Sequence, residues 1–106
     1  METRDELEQY RLKVVAELER RELRVQELAN EVENARVAVE VATRARVSWS
    51  ADTARNQIEA AHRARLRQTL KELEDESVQA KADLTRAEER LREVDERISE
   101  ASGESE

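Results

Sequence analysis

Two groups of residues in this chain have the types and spacing for chemistry. The first is Glu59-Ala60-Ala61-His62. On a helix this spacing sets a carboxylate and an imidazole one turn apart, as in bundles that bridge two metal ions with paired Glu-x-x-His motifs and further glutamates. One chain supplies one such pair; a dimer would supply two, with Glu40 at a similar height on a neighbouring helix. Against this, His62 is the sole histidine, and a Glu-rich helix produces three-residue matches freely. A surface or seam-edge histidine is the simpler reading, so a metal-binding bundle ranks as a remote third and no cofactor is expected. The second group is basic: Arg63, Arg65 and Arg67, with Arg44, Arg46 and Arg55 nearby and Trp49 between them. Guanidinium forks suit carboxylate or phosphate, and tryptophan is enriched where binding energy concentrates. These seven residues are the expected partner-binding set. The plainer alternatives are a solvated arginine face balanced by Glu59, Glu72 and Glu74, and a tryptophan that packs a bend. No Ser, His and acid arrangement stands out, and the single glycine, Gly103, cannot build a phosphate loop. The chain is therefore expected not to be an enzyme.

Charge sharpens the basic group. The whole chain carries −7, which opposes nucleic-acid binding, while charged residues reach 42% and aromatics 2%. Residues 41–71 hold seven basic and two acidic side chains. Residues 1–40 hold seven and eleven, and residues 72–106 hold five and thirteen. The middle is basic and both ends are acidic. There is no cysteine and no proline. The first excludes a disulfide framework and a thiolate metal site and fits a reducing compartment. The N-terminus lacks the apolar run of a secretory signal, and no stretch approaches the roughly 18 apolar residues of a membrane span. The expected location is the cytoplasm.

The elements that must position these residues are two long helices. From Leu7, a positions fall at Arg11, Leu18, Val25, Val32 and Val39, and d positions at Leu7, Val14, Arg21, Leu28, Ala35 and Ala42. Nine of these eleven are apolar, the heptad signature of a coiled coil. Arg11 and Arg21 can lay their stems along the seam with the guanidinium in water. A second seam runs through Leu66, Leu70, Leu73, Ser77, Ala80, Leu84, Ala87, Leu91, Val94, Ile98 and Ala101. Upstream, Ala54, Ile58, His62 and Leu66 step by four, a stutter that locally unwinds a supercoil. Off the first seam, Val37 and Val41 widen the apolar face. They are the expected interface for a second copy, a dimer, or for a helical partner; scattered surface valine is the other explanation.

Ser48, Ser50, Asp52 and Thr53 favour caps over helix interior, and the heptad phase slips across them. The chain is thus expected to be all-α: a frayed stretch at 1–6, a helix over 7–47, a bend at 48–53, a helix over 54–99 and a disordered acidic tail over 100–106. The two helices form an antiparallel coiled-coil hairpin, with a single long helix in a parallel dimer as the alternative. Facing an a position against a d position requires paired residue numbers to total a multiple of seven. A total of 98 puts the bend at Trp49 and sets Arg21 opposite Ser77. A total of 105 moves the bend to 52–53, and both remain open.

Two families of helical hairpin resemble this outline. Small secreted WXG-type proteins carry Trp-x-Gly at the bend, where this chain reads Trp49-Ser50-Ala51. Their Tyr-x-x-x-Asp/Glu export signal aligns with Leu91-Arg92-Glu93-Val94-Asp95. The chain also resembles, in charge and two-helix form, the stalk proteins of flagellar and type III export ATPases. Those resemblances imply a component or substrate of a bacterial secretion system. The reading from the residues themselves is a non-enzymatic scaffold that self-associates and docks a protein partner through the basic, Trp-bearing bend.

Overall fold

The computed structural model describes residues 3–45 and 53–104, and these form two α-helices, α1 (Arg4–Ala45) and α2 (Thr53–Glu104). The bend expected at 48–53, with Arg46 and Trp49 beside or within it, lies outside the described residues except for Thr53, where α2 begins. The protein is an all-α antiparallel helical hairpin. Ion pairs tie α1 to α2, among them Arg11–Asp95, 84 residues apart in sequence, at 2.6 Å. In one continuous helix those residues would stand over 100 Å apart at about 1.5 Å per residue, so the single-rod alternative does not describe this chain.

Both helices run further than expected. α1 starts at Arg4 because Thr3 caps it: the Glu6 amide donates to Thr3 Oγ1 at 3.2 Å and the Leu7 amide to the Thr3 carbonyl at 3.0 Å. Thr3-x-x-Glu6 is the sequence form of a capping box, and Asp5 and Glu6 set negative charge in the first turn, where the helix dipole favours it. At the other end, α2 continues through Ala101 and Ser102, both half-buried, so the seam carries the helix past residue 99.

The chain divides into two compact units, residues 1–25 with 79–106, and residues 26–78. In the first, Leu7, Val14, Ala80, Ala87 and Val94 are buried. Three ion pairs fix the register there: Arg11–Asp95, Glu17–Arg90 at 3.1 Å and Arg21–Asp83 at 3.5 Å. Their residue numbers total 106, 107 and 104, which bracket the 105 register. The 98 register would displace the helices by seven residues, about 10 Å, and break all three. Arg21 therefore does not stand opposite Ser77; its guanidinium lies between Asp83 and Glu17. Asp83 also accepts hydrogen bonds from Arg86 and from Gln79 Nε2, the latter at 3.1 Å. The Arg86 hydrogen bond, then that of Gln79, hold the Asp83 carboxyl below the ordinary 3.8. Partial burial opposes this and the Arg21 charge reinforces it.

In the second unit, Leu28, Val32 and Ser77 are buried, and Leu28 is only 1% exposed. The 105 register sets Leu28 level with Ser77, Val32 with Leu73 and Ala35 with Leu70. In the first unit it likewise sets Leu18 level with Ala87 and Val25 with Ala80. At Leu28, Ala35, Leu18 and Val25, though not at Val32, a large side chain thus meets a small one, which lets the helices approach closely at those levels. No buried side-chain polar atom among the described residues lacks a hydrogen-bond partner.

Candidate functional site

The second unit contains the described part of the basic zone. Burial along α2 continues in unbroken heptad spacing upstream of Leu66, through Arg63 and Glu59, which are half-buried. Ala54, Ile58 and His62 are exposed, so the expected stutter through them is not followed. The heptad wins because Arg63 and Glu59 can lay their aliphatic stems along the seam with their charges outward, while Ile58, with no such polar end, is left 68% exposed.

An open groove of about 560 Å³ results. Its α1 side is Ala38, Val41, Ala42 and Ala45; its α2 side is Ile58, Glu59, His62, Arg63 and Leu66. The lining follows the same register, with Ala42 level with Arg63 and Ala38 within one residue of the level of Leu66. The alanines leave a low floor, and Val41 (59% exposed) and Ile58 stand as its aliphatic walls. Val37, 48% exposed, lies one turn before Val41 on the same side of α1. Neither valine is covered by the chain's own helices.

The electrostatics around the groove are uneven. Residues 60–71 contain no carboxylate and four cations, Arg63, Arg65, Arg67 and Lys71. The register lays them beside residues 34–45, which contain one carboxylate, Glu40, and two cations, Arg36 and Arg44. Glu40 pairs with Arg44, one turn away on the same helix, and Arg36 with Glu33 at 3.9 Å. On α2, Arg55 pairs with Glu59 at 3.3 Å. Arg63, Arg65 and Arg67 make no ion pair among the described residues. Arg63 and Arg67, four apart on one helix face, and Arg67 and Lys71, likewise, repel each other by about 0.2–0.5 kcal/mol per pair. The local sequence thus spends stability to keep cations together.

Of the seven residues expected to bind a partner, the structure brings Arg63 to the groove lining and places Arg65 and Arg67, both exposed, within its next turn. Arg44 and Arg55 flank it but are each engaged by a glutamate of their own helix. The groove residues absent from that expectation are Ala38, Ala42, Ala45, Ile58 and Leu66. The signal that points to them is Ile58, an isoleucine the heptad has no place for. As for metal, the carboxylates of Glu40 and Glu59 are each held by an arginine, and no group of three or more His, Cys, Asp and Glu among the described residues is placed to hold an ion. No helix is long and apolar enough to cross a membrane among the described residues. Comparison with protein-family models, with curated proteins and with solved structures found no match to this chain.

Proposed function

We propose that this chain is a non-enzymatic interaction module that docks a protein partner on its basic, groove-bearing unit and associates with copies of itself. One observation carries the docking reading: Arg63, with no ion pair among the described residues, lines an open aliphatic groove in the long acid-poor zone of a chain with 26 acidic residues. Unpaired guanidinium groups beside exposed aliphatic walls are the chemistry of a docking surface, where a buried apolar centre supplies the energy and charge the orientation. Exposed Val37, which is not among the groove-lining residues, supports self-association.

The reading is tested by affinity capture and cross-linking from cells that make the protein, with wild type compared with an Arg63→Glu, Val41→Asp variant. Helix content by circular dichroism should match in the two proteins. A partner enriched by wild type and depleted at least tenfold by the variant supports docking here. Equal recovery of every cross-linked protein by both sinks it.

A further inference from the structure

Resting on that docking reading, we infer that the groove between Ala38–Ala45 and Ile58–Leu66 receives one amphipathic α-helix whose flank is acidic, about two turns of it seated at a time. The shape argues for a helix. Seven residues separate Ala38 from Ala45 and eight separate Ile58 from Leu66, so the groove runs about 10–12 Å along its walls, two helical turns. Its floor of alanines lets a third helix approach closely, and Val41 and Ile58 are set to interlock with aliphatic anchors spaced i, i+4 and i+7.

The charge argues for acidity. Arg63 lines the groove half-buried and has no ion pair among the described residues. A helix covering the groove would strip water from this guanidinium, and a desolvated cation without a carboxylate is strongly unfavourable. The occupant therefore brings Asp or Glu to that edge. A second copy packed groove against groove on a two-fold axis would set Arg63 against its own kind, so the groove does not fit a groove-to-groove dimer. No aromatic side chain among the described residues lines the groove, and Val41 and Ile58 offer nothing to a phosphate backbone, so its described walls suit an aliphatic partner better than nucleic acid.

The test uses the full chain and three fluorescent helical peptides of about 20 residues, long enough to hold a helix. One has leucines at i, i+4, i+7 and i+11 with glutamate flanks. The second has the same leucines with lysine flanks, and the third has glutamate flanks with serine for leucine. Fluorescence anisotropy should show the first binding at least tenfold more tightly than either other peptide. Ile58→Asp and Arg63→Gln should each weaken it at least fivefold, while Val78→Asp, an exposed position outside the groove, should leave it unchanged. Unchanged thermal melting of Arg63→Gln separates lost contact from lost fold. Equal affinity for glutamate- and lysine-flanked peptides, with both sensitive to Ile58→Asp, overturns the acidic occupant and leaves the docking reading standing. Failure of all three peptides to bind overturns the helix inference, and the cross-linking comparison then judges docking separately. Binding of duplex DNA that is weakened by Arg65→Glu but not by Ile58→Asp also overturns it.

Discussion

Asp83 links its own helix to α1: it accepts from Arg86 and Gln79 and faces Arg21 across the hairpin. Its carboxyl lies below the ordinary 3.8 chiefly because Arg86 and Gln79 hydrogen-bond the ionised form. The sign of the linkage follows. The unfolded chain takes up the proton at higher pH than the folded one, so the stability this carboxylate contributes is complete above 3.8. It is lost as pH falls from there through the lower folded value. Carbon-detected NMR titration should place Asp83 below 3.8, and Arg86→Gln should move it back up. In acid unfolding followed by circular dichroism, the stability gap between wild type and Asp83→Asn should shrink as pH drops below 3.8. A gap constant across that range would detach Asp83 from acid stability.

At the scale of the elements, the hairpin rests on few side chains, and Leu28 is the best buried of them. Leu28→Ala should cost about 2–5 kcal/mol in urea unfolding, the range for deleting a buried leucine. Level with it, Ser77→Ala should be neutral or stabilising by up to about 0.5 kcal/mol, since alanine is the better helix former. A disulfide tests the register directly. Leu18→Cys with Ala87→Cys should oxidise readily, and Leu18→Cys with Ala80→Cys, which the 98 register demands, should not, because about 10 Å of axial offset is beyond disulfide reach. The reverse pattern would restore the 98 register. The seams themselves were legible, since the heptad positions from Leu7 to Ala42 and from Leu66 to Ala101 are those the structure buries or half-buries. The register was not, because totals of 98 and 105 both keep apolar residues inside. What separates them is the charge beside the seam, Glu17 with Arg90 and Arg21 with Asp83, together with the match of large to small across it. The α1 cap at Thr3 was missed: its polar neighbours read as a frayed stretch at 1–6, although the Thr3-x-x-Glu6 spacing of a capping box lies within it. The groove was only half legible: Arg63 signalled it, but Ile58 read as a seam residue until Arg63 and Glu59 were seen to take that role.

For the whole molecule, the decisive fact is how little apolar surface is buried. Seven apolar side chains among the described residues are buried, two of them alanine, while Leu12, Leu23, Val37, Val41, Ile58 and Val78 are largely exposed. A chain of 106 residues with a seam in place of a core has a small margin against the conformational entropy of folding. Covering part of the exposed aliphatic surface with another copy would enlarge that margin, and association of folded chains makes stability depend on concentration. For a dimer, each tenfold rise in concentration adds about 1.4 kcal/mol per mole of dimer, enough to move the melting temperature by several degrees. Melting followed at 222 nm over a hundredfold range of concentration should show that drift, and sedimentation equilibrium should show mass above one chain in the same range. Val37→Glu should flatten the drift with little loss of helix at low temperature, since that side chain contributes nothing to the buried seam. Ile58→Asp should leave the drift in place if the groove is reserved for a partner. A melting temperature independent of concentration, with the mass of a single chain throughout, would mean that the exposed valines serve another protein or none, and the self-association half of the proposal would fall.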